Sequence, residues 1–98
     1  LDSRHYYASD YINHSCNPST KIDFDRMYFV ALKDIEKGQE ITYNYLTTEY
    51  DIARDKLDFE CKCGSKKCIG RIKGFKYLSK IQRLMIKRQL SPFLIKKL

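Results

Sequence analysis

Alternating polar and apolar residues make the first half of the chain strand-forming. Residues 21–25 alternate in this way, and residues 27–32 are a run rich in aromatic and β-branched side chains. An Asp-Arg pair at 25–26 separates the two runs and has the character of a turn. Residues 41–45 alternate again with β-branched and aromatic side chains. These patterns predict a β-hairpin followed by a further strand.

The last quarter of the chain has helical spacing instead. Ser79 and Gln82 have the spacing of a capping box, which predicts a helix from about 80 to 90. Ser91 followed by Pro92 predicts a second, short helix. The apolar residues of the first helix fall near one face, which we expect to pack on the domain rather than to form a groove for a partner. They are Ile81, Leu84, Met85 and Leu90.

Residues 46–60 lie between these regions and are predicted to be a loop with a helical turn. The expected fold class is therefore mainly β with C-terminal helices. A chain of 98 residues, 43% of them hydrophobic, has room for one small domain and no second one.

The ends and the hydropathy of the chain suggest a soluble protein or part of one. No apolar run approaches the roughly 20 residues of a membrane-spanning helix, and no signal peptide is visible, so no membrane contact is expected. Because the chain begins with Leu1 rather than Met, we expect a processed or trimmed product or the end of a longer protein.

The four cysteines are spaced like metal ligands. Cys61, Cys63 and Cys68 form one cluster, and Cys16 is the remaining candidate for a fourth ligand. This spacing favours a single structural zinc site in a reducing compartment. Two disulfides, as in a small secreted domain, or unbound thiols are the alternatives.

Charge is divided unevenly along the chain. The formal charge is +7, but residues 1–61 carry 7 basic and 12 acidic residues, whereas residues 62–98 carry 12 basic residues and no acidic one. Such a segment attracts nucleic-acid phosphates or acidic protein surfaces. The alternative is that these lysines and arginines only keep a helical tail solvated.

Three sequence blocks carry a family resemblance. Residues 13–18 read Asn-His-Ser-Cys-Asn-Pro, residues 38–45 read Gly-Gln-Glu-Ile-Thr-Tyr-Asn-Tyr, and residues 61–68 read Cys-Lys-Cys-Gly-Ser-Lys-Lys-Cys. In this order they resemble the C-terminal half of a SET domain and its post-SET zinc loop, found in protein-lysine N-methyltransferases. The segments 1–12 and 29–35 resemble the family's flanking sequence, so the resemblance extends from residue 1 to about 75.

The resemblance implies a SET-domain fold of the β-clip type. Its N-terminal part, with the glycine-rich cofactor loop, is expected to be absent from this chain. The strand of the first motif would thread through the loop near Tyr45 in the family's pseudoknot. The implied divisions are the C-terminal part of the SET domain at 1–50, a post-SET zinc-binding segment at 51–75 and a basic helical tail at 76–98.

The resemblance also assigns roles to individual residues. Asn13 and His14 would contact the adenine side of S-adenosylmethionine. Tyr45 matches the catalytic tyrosine beside the transferred methyl group, and Tyr43 matches a position that tunes the number of methyl groups, with tyrosine favouring mono- or dimethylation. Cys16 would complete the zinc site. Taken singly, the two tyrosines could be ordinary strand residues and Asn13-His14 an ordinary turn.

The implied function is transfer of a methyl group from S-adenosylmethionine to a lysine of a protein, with histones the family's most familiar substrate. The nucleus would be the site of action in a eukaryote, and the cytoplasm otherwise. The alternative is a catalytically inactive zinc-stabilised module that docks through its basic end on an acidic or nucleic-acid-containing partner.

Three positions depart from the family motifs. Asp10 stands where arginine is common, Ser19 replaces an asparagine, and Asn44 replaces an aspartate. Ser19 is expected to make local hydrogen bonds to the backbone in place of the asparagine.

Overall fold

The computed structural model describes residues 12–98, so the predictions that fall on residues 1–11, Asp10 among them, lie outside the described residues. Within residues 12–98, six short strands and two short α-helices alternate with turns of 3₁₀-helix. The strands are β1 Asn13–His14, β2 Thr20–Asp23, β3 Tyr28–Ala31, β4 Thr42–Tyr43, β5 Phe59–Glu60 and β6 Arg71–Ile72, and the helices are α1 Lys80–Met85 and α2 Pro92–Ile95. The 3₁₀ turns are Tyr45–Thr47, Ala53–Asp55, Phe75–Tyr77 and Lys87–Gln89. None of the helices in this part of the chain has the length and apolar character needed to cross a membrane.

In the described part of the chain, the strands form three separate two-stranded ladders. β1 runs parallel to β4, while β2 with β3 and β5 with β6 are antiparallel pairs. In the parallel pair, Asn13 lies opposite Thr42 and His14 lies opposite Tyr43. Two motifs that are about 30 residues apart in sequence are thereby brought side by side.

The predicted hairpin is confirmed, but its turn is longer than the sequence pattern indicated. One oxygen of the Asp23 side chain accepts the backbone N–H groups of both Asp25 and Arg26, each at 3.0 Å. Met27 adopts a left-handed conformation with φ of 60°. These features hold residues 24–27 in the turn, so the strands are confined to 20–23 and 28–31.

The prediction of a strand over residues 41–45 is wrong in extent. Only Thr42 and Tyr43 pair as a strand. The side chain of Asn44 accepts the backbone N–H of Leu46 at 2.9 Å and caps the 3₁₀ turn that begins at Tyr45. Asn44 itself keeps an extended backbone, as an N-cap residue does, and the chain leaves the extended conformation at Tyr45.

The capping box of Ser79 and Gln82 is present, with both reciprocal hydrogen bonds formed. The α-helix ends at Met85, however, because the N–H of Ile86 bonds to the carbonyl groups of both Arg83 and Leu84, and a 3₁₀ turn follows. The predicted helix over 80–90 is therefore two shorter segments. Ser91 caps the second predicted helix, and Pro92 occupies its first turn.

The predicted apolar stripe of the tail is mostly wrong. Ile81, Leu84 and Met85 are 72%, 51% and 67% exposed, and only Leu90 of the four predicted residues is buried. The core of the tail is instead built from Phe75, Leu90 and Leu94, with partly buried neighbours Tyr50, Leu78 and Ile86. The break after α1 turns the chain, so a single helical face does not extend to residue 90.

The tail is joined to the preceding segment by a close backbone crossing at Gly74. The N–H of Phe75 donates to the Glu49 carbonyl, and the N–H of Lys76 donates to the Tyr50 carbonyl, both at 2.9 Å. Gly74 has φ of 126°, and a Cβ atom placed there would lie 2.4 Å from the Tyr50 oxygen. Only glycine fits this position.

An acidic side chain anchors the same crossing. Desolvation disfavours the charged form of Asp51, but the N–H of Arg54, the hydroxyl of Tyr77 and the ammonium of Lys76 outweigh it and lower its pKa. The ammonium lies 3.5 Å from the carboxylate. Asp51 therefore favours the folded state in its ionised form.

Candidate active site and metal centre

Tyr45 is held at both ends by the strand that carries the Asn-His motif. Its backbone N–H donates to Nδ1 of His14 at 3.0 Å, and its hydroxyl donates to the carbonyl oxygen of Ile12 at 2.6 Å. The N–H of Ser15 donates to the Tyr43 carbonyl at 3.1 Å and extends the parallel ladder. The local fold therefore fixes the position and the direction of the Tyr45 phenol.

Aromatic rings surround His14 and Tyr45. The centroids of these two rings are 5.2 Å apart, and Phe59 lies 5.7 Å from His14 and 5.9 Å from Tyr45 with edge-on geometry. Tyr43 lies 5.0 Å from Tyr45 on another side and packs against Phe29. Edge-to-face packing of this kind limits the motion of each ring.

Three predicted cofactor-binding residues line one open cavity of about 480 Å³, together with Phe59, charged side chains and two cysteines. The full lining is Asn13, His14, Glu40, Tyr45, Phe59, Glu60, Cys61, Lys62 and Cys63. The amide of Asn13 donates to Glu40 at 2.5 Å across its edge. This volume lies in the range of small-molecule sites. Tyr43 is not part of the lining, and its side chain is buried, with 5% exposed.

Phe59 is a candidate site residue that the sequence analysis missed. It lies on β5 opposite Ile72 of β6, and this pairing turns it towards the cavity beside the cysteine loop. Its sequence neighbours are mostly polar, so no periodic pattern marks it. The one available signal was its place two residues before Cys61, since alternate residues of a strand share a face.

The two titratable groups at the centre of the site are neutral near pH 7. Burial lowers the pKa of His14 to about 4. Burial, followed by the charges of Glu40 and Glu49, raises the pKa of Tyr45 above its ordinary value. His14 is therefore an uncharged imidazole, and Tyr45 remains a phenol rather than a phenolate.

The structure brings the four cysteines together. Their sulfur atoms all lie within 4.8 Å of one another, and those of Cys16 and Cys61 are 3.9 Å apart. Four thiolates around a tetrahedral zinc ion with bonds of about 2.3 Å have sulfur atoms about 3.8 Å apart. The donor set and its spacing therefore fit one metal ion.

Backbone amides support the cluster. The N–H of Cys61 donates to the Gly70 carbonyl at 2.7 Å, and the N–H of Cys68 donates to the Ser65 carbonyl at 3.1 Å. Gly64, at φ of 74°, allows the tight turn between Cys63 and Cys68. These contacts hold the backbone of the loop that carries three of the four cysteines.

The thiols of the cluster differ in acidity. Burial raises the pKa of Cys16 to about 12, with the neighbouring Cys61 adding to the effect. Partial desolvation also acts on Cys63, but the N–H groups of Ser65 and Cys16 outweigh it and lower its pKa to about 6. Since a divalent cation binds thiolates, metal binding to this cluster must release protons.

Both departures from the family motifs that fall on described residues keep hydrogen bonds to the backbone. The Ser19 hydroxyl accepts the N–H of Thr42 at 2.9 Å and donates to the carbonyl of Glu40 at 3.3 Å, so it bonds to the backbone as predicted, but to a distant strand and not locally. The Asn44 amide oxygen caps the 3₁₀ turn of Tyr45 as a carboxylate would, but without its charge. These contacts fix β4 and the start of the tyrosine segment.

Comparison with known proteins supports the family resemblance. A family model for the SET domain matches residues 2–46. The methyltransferase flvH of Aspergillus flavus is 38% identical over 66 residues, covering 65% of this chain and 35% of that protein. A histone-lysine N-methyltransferase of Mycosarcoma maydis, H3 lysine-36 specific, is 37% identical over 70 residues and is covered to 7%. ASHH3 of Arabidopsis thaliana, a histone-lysine N-methyltransferase, is 38% identical over 66 residues and is covered to 17%.

The chain spans about a third of the length of the first of these relatives and less of the others. No solved structure gives a significant match. The resemblance to SET-domain methyltransferases is nevertheless confirmed, with residues 2–46 of this chain matching the family model of the SET domain.

Proposed function

We propose that this chain is the catalytic C-terminal part of a protein-lysine N-methyltransferase that uses S-adenosylmethionine. The observation that carries the proposal is the convergence of Asn13, His14 and Tyr45 on one open cavity beside the four-cysteine cluster. We further propose a nuclear site of action and a substrate lysine in a basic protein such as a histone, because relatives with histone-lysine methyltransferase names share the matched segment.

When bound, S-adenosylmethionine supplies an electrophilic methyl group on a sulfonium. The residues of this chain then have to bring in a lysine amine and keep it neutral. An exposed lysine with a pKa near 10.4 is almost fully charged at neutral pH. The aromatic walls from Tyr45 and Phe59 would disfavour the ammonium by desolvation and so lower that pKa.

The Tyr45 phenol is suited to orienting the amine rather than to removing its proton. Its hydroxyl hydrogen is already donated to the Ile12 carbonyl, which leaves the lone pairs of the phenol oxygen to accept an N–H. Because the pKa of Tyr45 is raised, it is a poor general base near neutral pH. Its contribution is therefore to hold the amine in a productive direction.

Tyr43 is proposed to limit the product to mono- or dimethyllysine. It is buried against Phe29 and lies 5.0 Å from the Tyr45 ring. Because Tyr43 does not itself line the cavity, it would act by restricting movement of the Tyr45 ring away from a more highly methylated amine.

We propose that the four cysteines hold one structural zinc ion. The ion would join the segment after β1 to the loop after β5, because Cys16 belongs to the first and the other ligands to the second. We propose the divisions that the resemblance implies, with the SET part at 1–50, the post-SET part at 51–75 and the tail at 76–98. The apolar cluster of Phe75, Leu90 and Leu94 joins the tail to the preceding divisions, because Phe75 and its neighbour Tyr50 lie outside 76–98.

The decisive experiment measures S-adenosylmethionine binding by calorimetry and methyl transfer to basic proteins. It uses the zinc-loaded chain and any longer natural protein that contains it. Tyr45→Phe is expected to lower the methyl-transfer rate by about 100-fold, by loss of amine orientation. Its effect on folding stability should be only about 1 kcal/mol, for one lost hydrogen bond.

Tyr28→Phe is the matched control, because this tyrosine lies on the hairpin strand β3 and is 52% exposed. It should leave cofactor binding and methyl transfer unchanged. The proposal fails if neither form of the protein binds S-adenosylmethionine, or if Tyr45→Phe transfers methyl groups as fast as the control.

A docking role is the second candidate, and the charge of the tail favours it. Eleven of the twelve basic residues in 62–98 are exposed, and this segment has no acidic residue. Binding to a double-stranded DNA fragment should weaken steeply with salt, with a slope that falls by about 2 when Lys87 and Arg88 are both changed to Gln. Tyr45→Phe should leave this binding unchanged, which separates docking from catalysis.

A further inference from the structure

The His14 ring lies between the cysteine cluster and the proposed catalytic tyrosine. Its Nδ1 atom is 3.0 Å from the backbone nitrogen of Tyr45, and its Nε2 atom is 3.4 Å from the sulfur of Cys16. The pairing of His14 with Tyr43 in the parallel ladder fixes the backbone beneath the ring. One ring nitrogen therefore contacts the tyrosine segment, and the other contacts the cysteine cluster.

The backbone partner determines which ring nitrogen carries the hydrogen. The nitrogen of Tyr45 can only donate, so Nδ1 of His14 must be the acceptor. A neutral imidazole has one hydrogen, which must then be on Nε2. This N–H faces the Cys16 sulfur within the distance of a hydrogen bond to sulfur. The structure is thus compatible with one tautomer in which both contacts are favourable.

We propose that His14 is a positioning residue that connects the metal centre to Tyr45. Its Nε2–H donates to the Cys16 sulfur, and its Nδ1 accepts the Tyr45 amide. A metal-bound thiolate is a good acceptor for this N–H, whereas an unligated Cys16 thiol is a weak one. Metal occupancy would therefore set the ring orientation of His14 and, through it, the placement of Tyr45.

The hydrogen-bond relay does not depend on methyl-transfer activity, but its catalytic consequence rests on the proposed function. The relay also differs from direct ligation by histidine. The ligand atoms that cluster within 4.8 Å are the four cysteine sulfurs, and His14 is not among them. Partners that hold a ligand by hydrogen bonds typically change metal affinity by 10- to 100-fold when they are removed.

Two substitutions separate the two hydrogen bonds. His14→Asn places a short amide near the Nδ1 position, so it can still accept from Tyr45 but cannot reach Cys16. His14→Gln places an amide nitrogen near the Nε2 position, so it can donate to Cys16 but no longer accepts from Tyr45. The two variants therefore serve as controls for each other.

The measurements use the chain loaded with cobalt(II) or zinc. In His14→Asn we expect a 10- to 100-fold loss of metal affinity and a shift of the sulfur-to-cobalt charge-transfer band to lower energy. His14→Gln should keep the wild-type affinity and band but lose protection of the Tyr45 amide from hydrogen exchange. In His14→Asn that amide should stay protected. An unchanged affinity and band in His14→Asn would overturn the proposal.

A measurement on the unmodified protein guards against variants that fail to fold. Long-range ¹H–¹⁵N correlation on the zinc-loaded chain should show the His14 hydrogen on Nε2. A hydrogen on Nδ1 would overturn the relay, as would a cobalt spectrum typical of three sulfurs and one nitrogen. Since none of these readouts is methyl transfer, failure of the relay and failure of the proposed function are distinguishable.

Discussion

Replacing Cys16 by Ser should destabilise the metal-loaded chain more than replacing Cys68 by Ser. Each change removes one of four thiolates, so the loss of ligand chemistry is the same. The two differ in the length of chain that the metal closes. Cys16 and Cys61 are 45 residues apart, whereas Cys68 lies five residues after Cys63.

Loop length sets the size of the difference. In Cys16→Ser the metal is held by Cys61, Cys63 and Cys68. It closes only a short loop in the unfolded chain, so it binds the unfolded state almost as well as the folded state. In Cys68→Ser the metal is held by Cys16, Cys61 and Cys63. It must close the long loop to bind the unfolded chain, whereas the folded state already holds that loop closed, so the metal favours the folded state. The entropic cost of loop closure grows as (3/2)RT times the logarithm of loop length. The ninefold ratio of the two loop lengths, 45 to 5 residues, therefore corresponds to a difference of about 2 kcal/mol in the free energy of unfolding.

Urea unfolding measures this difference directly. Tyrosine fluorescence can follow it, since the chain has eight tyrosines and no tryptophan. With saturating zinc, the free energy of unfolding of Cys16→Ser should lie about 2 kcal/mol below that of Cys68→Ser. The free energies of unfolding of the same two variants are also measured with a chelator. Subtracting these values removes the contribution of contacts that do not involve the metal. If the zinc-dependent parts of the two values are equal, or if Cys68→Ser loses more, the metal does not join the two segments.

Two further changes test the joint between the tail and the rest of the chain. Gly74→Ala should lower the free energy of unfolding by more than about 3 kcal/mol, because its backbone conformation is strained for alanine and its Cβ would collide with the Tyr50 carbonyl. Gly38→Ala, with φ of 91° but open space around it, should cost only about 1–2 kcal/mol, and equal losses would refute the collision. Asp51 has a lowered pKa in the folded state, so its stabilisation should be complete above its ordinary pKa of about 3.9 and be lost as the pH falls through the lower folded value. Asp51→Asn should remove this part of the acid dependence of chemical denaturation, and an unchanged profile would contradict the assignment.

The cysteine cluster was predictable because most of its signal is local. Cys61, Cys63 and Cys68 are close in sequence, and Cys16 was the remaining thiol, so spacing alone proposed the cluster that the structure brings together. The hairpin was predictable for the same reason, since alternation is a property of neighbouring residues. Its exact turn was not, because that depends on two amides bonding to the Asp23 side chain.

The aromatic wall and the tail core depend on contacts between distant residues. Phe59 reaches His14 and Tyr45 only because β5 and β1 approach each other in the fold, and nothing in its own neighbourhood signals this. In the tail, the helical pattern suggested that Met85 is buried, but the turn at Ile86 ends the α-helix and transfers burial to Leu90 and Leu94. The pairing of the Asn-His and tyrosine motifs was expected only through the family resemblance, because residue spacing contains no information on it.

The acidic first part of the chain suits the proposed reaction, because both reactants are cations. A sulfonium and a lysine ammonium are both cationic, so bringing them together is opposed by their mutual repulsion. Glu40 and Glu60 line the cavity and Glu49 acts on Tyr45, and all acidic residues of the chain lie within 1–61. This acidic part can attract both cations to the cavity mouth, after which the aromatic wall favours the neutral amine. The basic residues from Lys80 onward do not line the cavity, so a polyanion could bind them there, whereas Lys62 lines the cavity and Arg71 lies 3.6 Å from Glu60. For the proposed function, a basic protein held on a polyanion is the substrate class that fits this charge division, because the acidic cavity would receive the lysine and the basic tail would contact the polyanion.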